Sequence, residues 1–402
     1  MGTPVPAFGL GRLPRITFGP GVFGQVPSIA ARHGPRALLV TGGRSFNASP
    51  RRAQLEAGLA EAGVALLGVI TVSGEPSPAD VEGPLAEYRG QGVNVVIGIG
   101  GGAALDTAKA IAGLLPVETE LMDHLEGVGR GVPYPGTALP VVAVPTTAGT
   151  GSEATRNAVI SERGPDGYKR SFRDESMVPA DAVVDPELLA TAPRSLIAAN
   201  GLDALTQLLE AYTSHKATPV TDALARDGLT ACRDGLLAWH ADPDGPDAPA
   251  ARSRMAYAAL LSGVCLANAG LGAVHGFASP LGARLPIPHG MACGAVLWQT
   301  IRANITALTD RDPESPALPK YAEAGRILAG LPSTIRDGAA RVQLVDTLHD
   351  MVEALAVPRL SAFEMRAEHI PLIVADSPGS SMRTNPVALT DEELSAILEQ
   401  AL

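Results

Sequence analysis

The chain has 402 residues, of which 46% are hydrophobic and 18% charged, and this balance predicts a globular protein of two domains. Its net charge of −11 argues against a nucleic-acid partner, because an acidic surface cannot neutralise a phosphate backbone. The N-terminal residues lack an apolar run of signal-peptide length, and Gly or Pro interrupts the longest apolar stretches well short of a membrane span. We therefore expect a cytoplasmic protein without membrane contact.

The first half of the chain alternates short apolar runs with helical patterns. Buried strands are expected at 37–41, 64–71, 93–99 and 141–144, and helices at 51–62 and 80–89. Continuous apolar strands separated by helices are typical of a parallel sheet that is covered on both faces. The pattern predicts a doubly wound α/β domain of the dinucleotide-binding type.

The pattern changes after about Asp185. Pro193 followed by Arg194 and Ser195 predicts the start of a helix, and only helical patterns separated by loops rich in Pro and Gly follow it. We assign residues 1–190 to the α/β domain and residues 191–402 to an all-helical domain. The active site is expected in the cleft between the two domains.

A glycine-rich turn follows the third predicted strand. Gly98, Gly100, Gly101 and Gly102 allow backbone N–H groups to approach a ligand, and the helix that starts near Ala103 directs its positive end at the same place. Such a turn suits a pyrophosphate, although tight packing of the helix on the strand is an equal explanation for glycine alone. The Asp106–Lys109 pair within the next turn favours the cofactor interpretation.

A second polar loop follows the strand at 141–144. Its hydroxyl side chains are those of Thr146, Thr147, Thr150 and Ser152, interleaved with glycines. Ligands of open α/β sheets bind at the carboxyl ends of the strands, where this loop must lie. A polar turn rich in helix caps is the alternative, but two such loops in one domain favour a dinucleotide site.

The helical half contains a set of residues suited to a metal ion. Asp203 and Gln207 are four residues apart and so share a helix face, as do His275 and Ser279, and His289 follows after a Pro-containing break. One Asp and two His can hold a catalytic divalent metal, which would polarise a carbonyl for hydride attack. Each of these residues taken singly is more typical of a structural role, such as a core histidine or a helix cap.

The three cysteines are Cys232, Cys265 and Cys293. They are widely spaced, odd in number and form no CxxC pair, so a disulfide framework is not indicated. We expect buried, reduced thiols of the kind found in cytosolic proteins.

In its motifs and their order the sequence resembles the iron-containing alcohol dehydrogenases, which share a two-domain architecture with glycerol dehydrogenases and dehydroquinate synthases. The segments that carry the resemblance span nearly the whole chain: ITFGPGVFGQV, GGGAALDTAKA, PTTAGTGSEAT, DALTQLLEAY, VHGFASPLGARLPIPHG and NPVALTDEEL. The resemblance implies a nicotinamide-dependent enzyme that interconverts a small alcohol and its aldehyde or ketone. It also implies a homodimer or a larger homo-oligomer.

The resemblance assigns roles to individual residues of both domains. Gly100, Gly101, Gly102 and Asp106 would lie along the cofactor, and Thr146, Thr147 and Ser152 would line its nicotinamide side. The four metal-ligand positions of the family correspond to Asp203, Gln207, His275 and His289. Ser279 stands where the family usually has a proton-relay histidine.

Gln207 departs from the family pattern, because most members have His there and an amide oxygen is a poorer ligand for a transition metal than imidazole. Asp203, His275 and His289 still match the ligand set of the similar glycerol dehydrogenases, which use zinc. Maleylacetate reductases, which are also similar, work without a metal. In that case His275, His289 and Ser279 would orient the carbonyl and supply the proton.

The cofactor preference is expected to differ from that of the NAD-specific members. Those members have an acidic residue just after the first strand, where this chain has Gly42, with Arg44 nearby. Loss of the carboxylate and gain of a guanidinium accommodate a 2′-phosphate. We predict that NADPH is accepted.

Two other classes of function are alternatives to a dehydrogenase. A lyase or cyclase of the dehydroquinate synthase type would need several cationic residues for an anionic substrate, and lysine is scarce, occurring only at Lys109, Lys169, Lys216 and Lys320. A cofactor-binding scaffold without catalytic activity is the other alternative. The sequence does not identify the substrate.

Overall fold

The computed structural model describes residues 5–162 and 167–402. The chain forms two compact units, one comprising Gly11–Thr191 and the other Ala192–Leu402 together with residues 5–10. The first unit contains a parallel sheet with helices, and the second is built from helices. This arrangement confirms the predicted fold class.

The first unit begins with alternating strands and helices and ends with four successive strands. Its strands are β1 (Arg15–Phe18), β2 (Arg36–Gly42), β3 (Ala65–Val72), β4 (Val95–Gly100), β5 (Val141–Pro145), β6 (Asn157–Glu162), β7 (Tyr168–Arg173) and β8 (Asp181–Val184). Its α-helices are α1 (Val26–Ala31), α2 (Pro50–Glu61), α3 (Pro78–Tyr88), α4 (Gly102–Leu114) and α5 (Leu121–His124).

Six of these strands form one parallel sheet in the order β1-β8-β5-β4-β2-β3. Successive residues of β2 point to opposite faces: Leu38 and Val40 pack in one hydrophobic core, and Ala37 and Leu39 pack in another. Both faces of the sheet are therefore covered, as the continuous apolar strands predict.

Four strands of this unit were not predicted from the sequence. Two of them, β1 and β8, have only four residues each, and β6 and β7 form a separate antiparallel pair. The pair packs on α4 through Ala158, Ile160 and Phe172. Strands this short, or this mixed in polarity, carry too few apolar residues to show a period in the sequence.

The second unit contains nine α-helices and no strand in the range 192–402, all of which is described. The helices are α6 (Arg194–Thr213), α7 (Pro219–Ala241), α8 (Ala248–Ala269), α9 (Ala273–Arg284), α10 (His289–Arg311), α11 (Ala317–Ala329), α12 (Asp337–Ala354), α13 (Ile370–Asp376) and α14 (Asp391–Ala401). The first of them starts directly after Pro193, as predicted. It is buried on nearly all sides and packs against α7, α8 and α10.

Within the described residues, no single helix combines the length and apolar character needed to cross a membrane. Only α8 and α9 taken together meet those criteria, as a pair bent by 101°.

Candidate active site

Helix α6 carries two buried polar side chains on one face. Asp203 and Gln207 are four residues apart, and the Gln207 amide nitrogen donates a hydrogen bond of 3.0 Å to Asp203 Oδ1. The Gln207 amide oxygen accepts a bond of 3.0 Å from the Ser262 hydroxyl on α8. Burial alone would raise the pKa of Asp203, but its contacts with His275, His289 and Gln207 outweigh burial and lower that pKa below its ordinary value. Gln207 is thus a direct hydrogen-bond partner of Asp203.

A third residue of the same helix, Glu210, orients His275. One oxygen of its carboxylate accepts the backbone N–H of Val274 at 2.7 Å, in the first turn of α9, and the other lies 2.6 Å from His275 Nδ1. Because a carboxylate only accepts, Nδ1 carries a proton, and Nε2 is the nitrogen that faces Asp203. Sequence reasoning missed Glu210, although its spacing of three from Gln207 places it on the same helix face.

The distance between His275 Nε2 and Asp203 Oδ1 is 3.2 Å. With Nδ1 protonated, these atoms are two electron-pair donors facing each other inside the protein, which is stable only if a proton or a metal cation lies between them. Burial would lower the pKa of His275, but Cys293, Glu210 and Asp203 outweigh burial and raise that pKa well above its ordinary value. The surroundings of His275 therefore favour positive charge at this point.

The N-terminus of α10 brings His289 to the same place. A Cβ atom at Gly290 would lie 2.0 Å from the Ala199 carbonyl oxygen, so only glycine allows α10 to approach α6 this closely. His289 Nε2 lies 3.8 Å from Asp203 Oδ1, and the two imidazole rings have their centroids 5.5 Å apart. Ser279 lies one turn beyond His275 on α9 and is half-buried.

A cysteine completes this group. Cys293 lies one turn beyond His289 on α10, and its Sγ is 3.8 Å from His275 Nε2. One ligand atom from each of Asp203, His275, His289 and Cys293 lies within 4.8 Å of the others. We call these four residues the ligand cluster. All three cysteines are buried and free, as expected, but sequence reasoning gave Cys293 no role; the spacing of four from His289 was the signal it missed.

The donors of the ligand cluster fit a divalent transition metal. Two imidazole nitrogens, a carboxylate oxygen and a sulfur are the ligand types of zinc and of related metals. The Glu210–His275 hydrogen bond is the carboxylate–histidine arrangement that usually stands behind a metal-bound imidazole.

In the α/β unit, the glycine loop (residues 98–102) and the threonine loop (residues 146–153) pack directly on each other. A Cβ atom at Gly102 would lie 2.7 Å from the Thr150 side chain, and one at Gly100 would lie 2.6 Å from Ala104 Cβ. Packing therefore requires glycine at both positions whether or not a ligand binds. Among the described residues no side chain caps the N-terminus of α4, so its first N–H groups are available to an anion.

Asp106 holds these two loops together. Its Oδ1 accepts a bond of 2.5 Å from the Ser152 hydroxyl and pairs with Lys109 Nζ at 3.0 Å, and its Oδ2 accepts the Val159 N–H at 3.0 Å. Lys109 is fully buried and also donates to the Ser152 carbonyl and to Thr155 Oγ1, each at 3.0 Å. We call Asp106, Lys109 and Ser152 the loop clasp. Both carboxylate oxygens of Asp106 are thus engaged inside the protein.

The remaining cofactor candidates lie at the carboxyl ends of neighbouring strands. Thr146 and Thr147 follow β5, and the Thr146 N–H donates to the Gly100 carbonyl at the end of the adjacent β4, at 2.9 Å. Gly42 ends β2, on the other side of β4, and its carbonyl accepts a bond of 3.1 Å from Asn47. Arg44, two residues later, is exposed. Because β5, β4 and β2 are neighbours in the parallel sheet, the three loops that follow them lie together at the carboxyl ends of these strands.

Both halves of the chain match family models. The model described as iron-containing alcohol dehydrogenase covers residues 14–186, and the C-terminal model of the Fe-containing alcohol dehydrogenase family covers residues 197–402. The chain belongs to the iron-containing alcohol dehydrogenase family.

Similar proteins within this family include dehydrogenases of several alcohols. The chain is 35% identical to alcohol dehydrogenase 4 of Saccharomyces cerevisiae over 328 residues, which cover 81% of this chain and 80% of that protein. It is 30% identical to the NAD-dependent methanol dehydrogenase of Bacillus methanolicus over 393 residues, covering 97% and 98% of the two chains. A solved structure of 1,3-propanediol oxidoreductase superposes with a TM-score of 0.87 at 28% identity, covering 99% of this chain and 100% of that one.

This iron-containing alcohol dehydrogenase homologue is accordingly an oxidoreductase that acts on CH–OH groups with a nicotinamide cofactor. It transfers hydride between the cofactor and a small alcohol or its carbonyl product. The dehydrogenase prediction is therefore confirmed in preference to the lyase and scaffold alternatives.

Proposed function

We propose that this enzyme reduces a small aldehyde or ketone with NADPH or NADH, and oxidises the corresponding alcohol, at a divalent metal held by Asp203, His275 and His289. The observation that carries the proposal is that these three side chains, from three different helices, lie together and that the Glu210 carboxylate contacts His275 Nδ1. When bound, the metal would supply Lewis-acid polarisation of the substrate carbonyl.

The helical unit's own side chains orient this site. Glu210 keeps the proton of His275 on Nδ1, so that Nε2 is directed at Asp203. Gln207 holds the Asp203 carboxylate by donating to Oδ1. We assign Ser279 the transfer of a proton to the substrate oxygen, because it lies one helical turn from His275 and is half-buried.

The α/β unit supplies the cofactor contacts in this proposal. The uncapped N-terminus of α4, together with Gly100, Gly101 and Gly102, would bind the pyrophosphate. Thr146, Thr147 and Ser152 would line the nicotinamide side. Asp106 would act by fixing the position of Ser152, to which it is hydrogen-bonded, and so would keep this edge of the site in place.

Arg44 and Gly42 determine the cofactor preference that we propose. Arg44 is exposed and no acidic side chain stands at Gly42, so a 2′-phosphate would meet a guanidinium rather than a carboxylate. We expect Arg44→Ala to raise KM for NADPH about tenfold, the size of one charge-assisted hydrogen bond, and to leave KM for NADH unchanged. The exposed Arg12→Ala is the matched control. Equal effects of Arg44→Ala on KM for both cofactors would show that Arg44 does not contact the 2′-phosphate.

The decisive experiment for the whole proposal combines metal analysis with steady-state kinetics. Protein purified without chelator is assayed for metal content and for reduction of a panel of aldehydes with NADPH and NADH. About one equivalent of metal, with activity lost on chelation and restored by metal, supports the proposal. Full activity without metal would mean that His275, His289 and Ser279 polarise the carbonyl, as the resemblance to the metal-free reductases implies.

We further propose a cytoplasmic homodimer or larger homo-oligomer. Strand β1 forms one edge of the sheet, and its Ile16 and Phe18 are 43% and 37% exposed, a surface suited to pairing with a second copy. Light scattering at a series of protein concentrations tests this, and a monomer at every concentration would refute it.

A further inference from the structure

We propose that Cys293 is a metal ligand, so that the site of this enzyme is an Asp-His-His-Cys site in which Gln207 acts as a hydrogen-bond partner. The inference rests on the metal site of the proposed function and specifies its fourth ligand. It starts from the position of Sγ, which lies 3.8 Å from His275 Nε2 and belongs to the ligand cluster.

The distances within the ligand cluster agree with a single bound ion. Around a tetrahedral metal with bonds of about 2.0–2.3 Å, neighbouring ligand atoms lie roughly 3.3–3.7 Å apart. The separations here are 3.2 Å from His275 Nε2 to Asp203 Oδ1, 3.8 Å from His289 Nε2 to the same oxygen, and 3.8 Å from Cys293 Sγ to His275 Nε2. All six separations within the cluster are at most 4.8 Å, so one ion could bind all four atoms once side-chain adjustments shorten the longest of them.

The backbone of α10 fixes the direction from which the sulfur approaches. A Cβ atom at Gly294 would lie 2.7 Å from Leu202 Cδ1, and Gly290 packs against the Ala199 carbonyl. Two glycines thus allow α10 to lie against the turn of α6 that carries Asp203. Because Cys293 lies between these glycines and one turn from His289, its side chain is held beside Asp203.

Gln207 is unsuited to be the fourth ligand in the observed arrangement. Its amide nitrogen donates to Asp203 Oδ1, and its amide oxygen accepts from Ser262 on the other side. The amide therefore presents N–H groups to the cluster, and an N–H group of an amide does not bind a cation. The fourth ligand is therefore Cys293 on α10 and not Gln207 on α6.

Charge and ligand chemistry support the assignment. Metal binding displaces the thiol proton to solvent, and the resulting thiolate and the Asp203 carboxylate together neutralise a divalent ion. A thiolate beside two imidazoles favours zinc over harder cations such as Mg²⁺. The competing explanation is a neutral thiol that packs as a small apolar group and donates weakly to His275.

Cobalt(II) alone is the probe that separates these explanations. The metal-free protein is titrated with one equivalent of Co²⁺, and the d–d bands are recorded together with the near-ultraviolet region where thiolate-to-cobalt charge transfer absorbs. We expect the charge-transfer band in the wild type and in Cys265→Ser, a matched control in which a buried thiol of the same unit is replaced. Cys293→Ser is expected to lose this band and to retain d–d bands, because three ligands suffice for a metal site.

A second measurement needs no variant and so does not depend on the folding of Cys293→Ser. X-ray absorption of the zinc-loaded wild type should show one sulfur scatterer at about 2.3 Å. Stoichiometric cobalt or zinc binding without sulfur coordination would overturn the inference and leave the metal-dependent function standing. No metal binding at all, with full aldehyde reduction, would overturn the inference and the metal of the proposed function, but not the hydride transfer.

Discussion

The ligand cluster of the helical unit and the loop clasp of the α/β unit bury carboxylates in two different ways. In the clasp, the positive charge belongs to a residue of the protein, Lys109. Its Nζ lies 3.0 Å from Asp106 Oδ1, and the side chain is fully buried. In the cluster, Asp203 is surrounded by two imidazoles, an amide and the thiol of Cys293, and a second carboxylate lies on the far side of the His275 ring. The clasp is complete within the protein, whereas the cluster favours an added cation.

Under the proposed function, this difference separates the structural role of the clasp from the catalytic role of the cluster. A lysine that is part of the chain cannot leave or exchange, so the clasp serves to hold the glycine and threonine loops in register. In the cluster, the positive charge is a proton on His275 or a bound metal, and both can be exchanged with solvent. In the proposed function a metal takes the place of this proton and would also polarise the substrate carbonyl.

The largest expected effect follows from removing the carboxylate of the cluster. Asp203→Asn keeps the size of the side chain but loses the negative charge that both imidazoles face. We expect loss of bound metal and a fall in kcat/KM for aldehyde reduction of about 10³-fold, since metal polarisation contributes several kcal/mol. Elemental analysis and steady-state kinetics on the same preparation measure both effects.

Asp227→Asn is the matched control for this variant. Asp227 lies on α7 of the same unit and accepts a hydrogen bond from Tyr257 at the surface, so its replacement should leave metal content and kcat/KM near wild type. Wild-type activity in Asp203→Asn would show that the cluster is a structural feature, like the clasp.

Next in size is a pH effect at the clasp. Glu153 lies in the threonine loop and is 2% exposed; burial raises its pKa to about 7, although its own backbone N–H and the charge of Lys109 oppose the shift. The unfolded chain gives up this proton near pH 4.5, the ordinary value, and the folded protein only near pH 7. The contribution of Glu153 to stability is therefore fully present below about pH 4.5 and is lost as the pH rises to 7.

Glu153→Gln removes that dependence. The difference in free energy of unfolding, variant minus wild type, should be about 2 kcal/mol larger at pH 8 than at pH 5, as measured by urea denaturation at both pH values. The exposed Glu162→Gln, on β6 of the same unit, should show the same difference from wild type at both pH values. If the difference in free energy of unfolding between Glu153→Gln and wild type is also the same at pH 5 and pH 8, Glu153 is ionised throughout this range. It would then be a third buried charge, beside Asp106 and Lys109.

How far the sequence predicts each region depends on the range of its interactions. Strands β2 to β5 were predicted because each is a continuous apolar run, whereas β1 and β8 are too short to show a pattern. The pairing of Asp203 with Gln207 on one face follows from helical periodicity alone. The meeting of α6, α9 and α10 does not, because helix crossings depend on close contacts such as that of Gly290 with Ala199.

The roles of single residues were harder to predict than the elements that carry them. Cys293 and Glu210 each have the spacing of a site residue, four from His289 and three from Gln207, but that spacing is common among buried helix residues and does not single them out. Asp106 was expected along the cofactor, and its hydrogen bonds to Ser152 and Val159 join chain segments some fifty residues away. Such long-range pairings depend on the sheet order, which a pattern in one segment cannot reveal.

The smallest expected effect tests whether the loops of the clasp serve the cofactor through their backbone. An added methyl group in Gly102→Ala would lie 2.7 Å from the Thr150 side chain and would push the two loops apart. We expect KM for NADPH to rise about tenfold, with kcat and metal content unchanged, because the displaced N–H groups lose part of their contact with the pyrophosphate. Gly83→Ala, in α3, where the described residues leave open space for an added Cβ atom, is the control and should leave KM unchanged. If Gly102→Ala lowers stability and leaves KM unchanged, glycine at this position serves only the packing of α4 on the threonine loop.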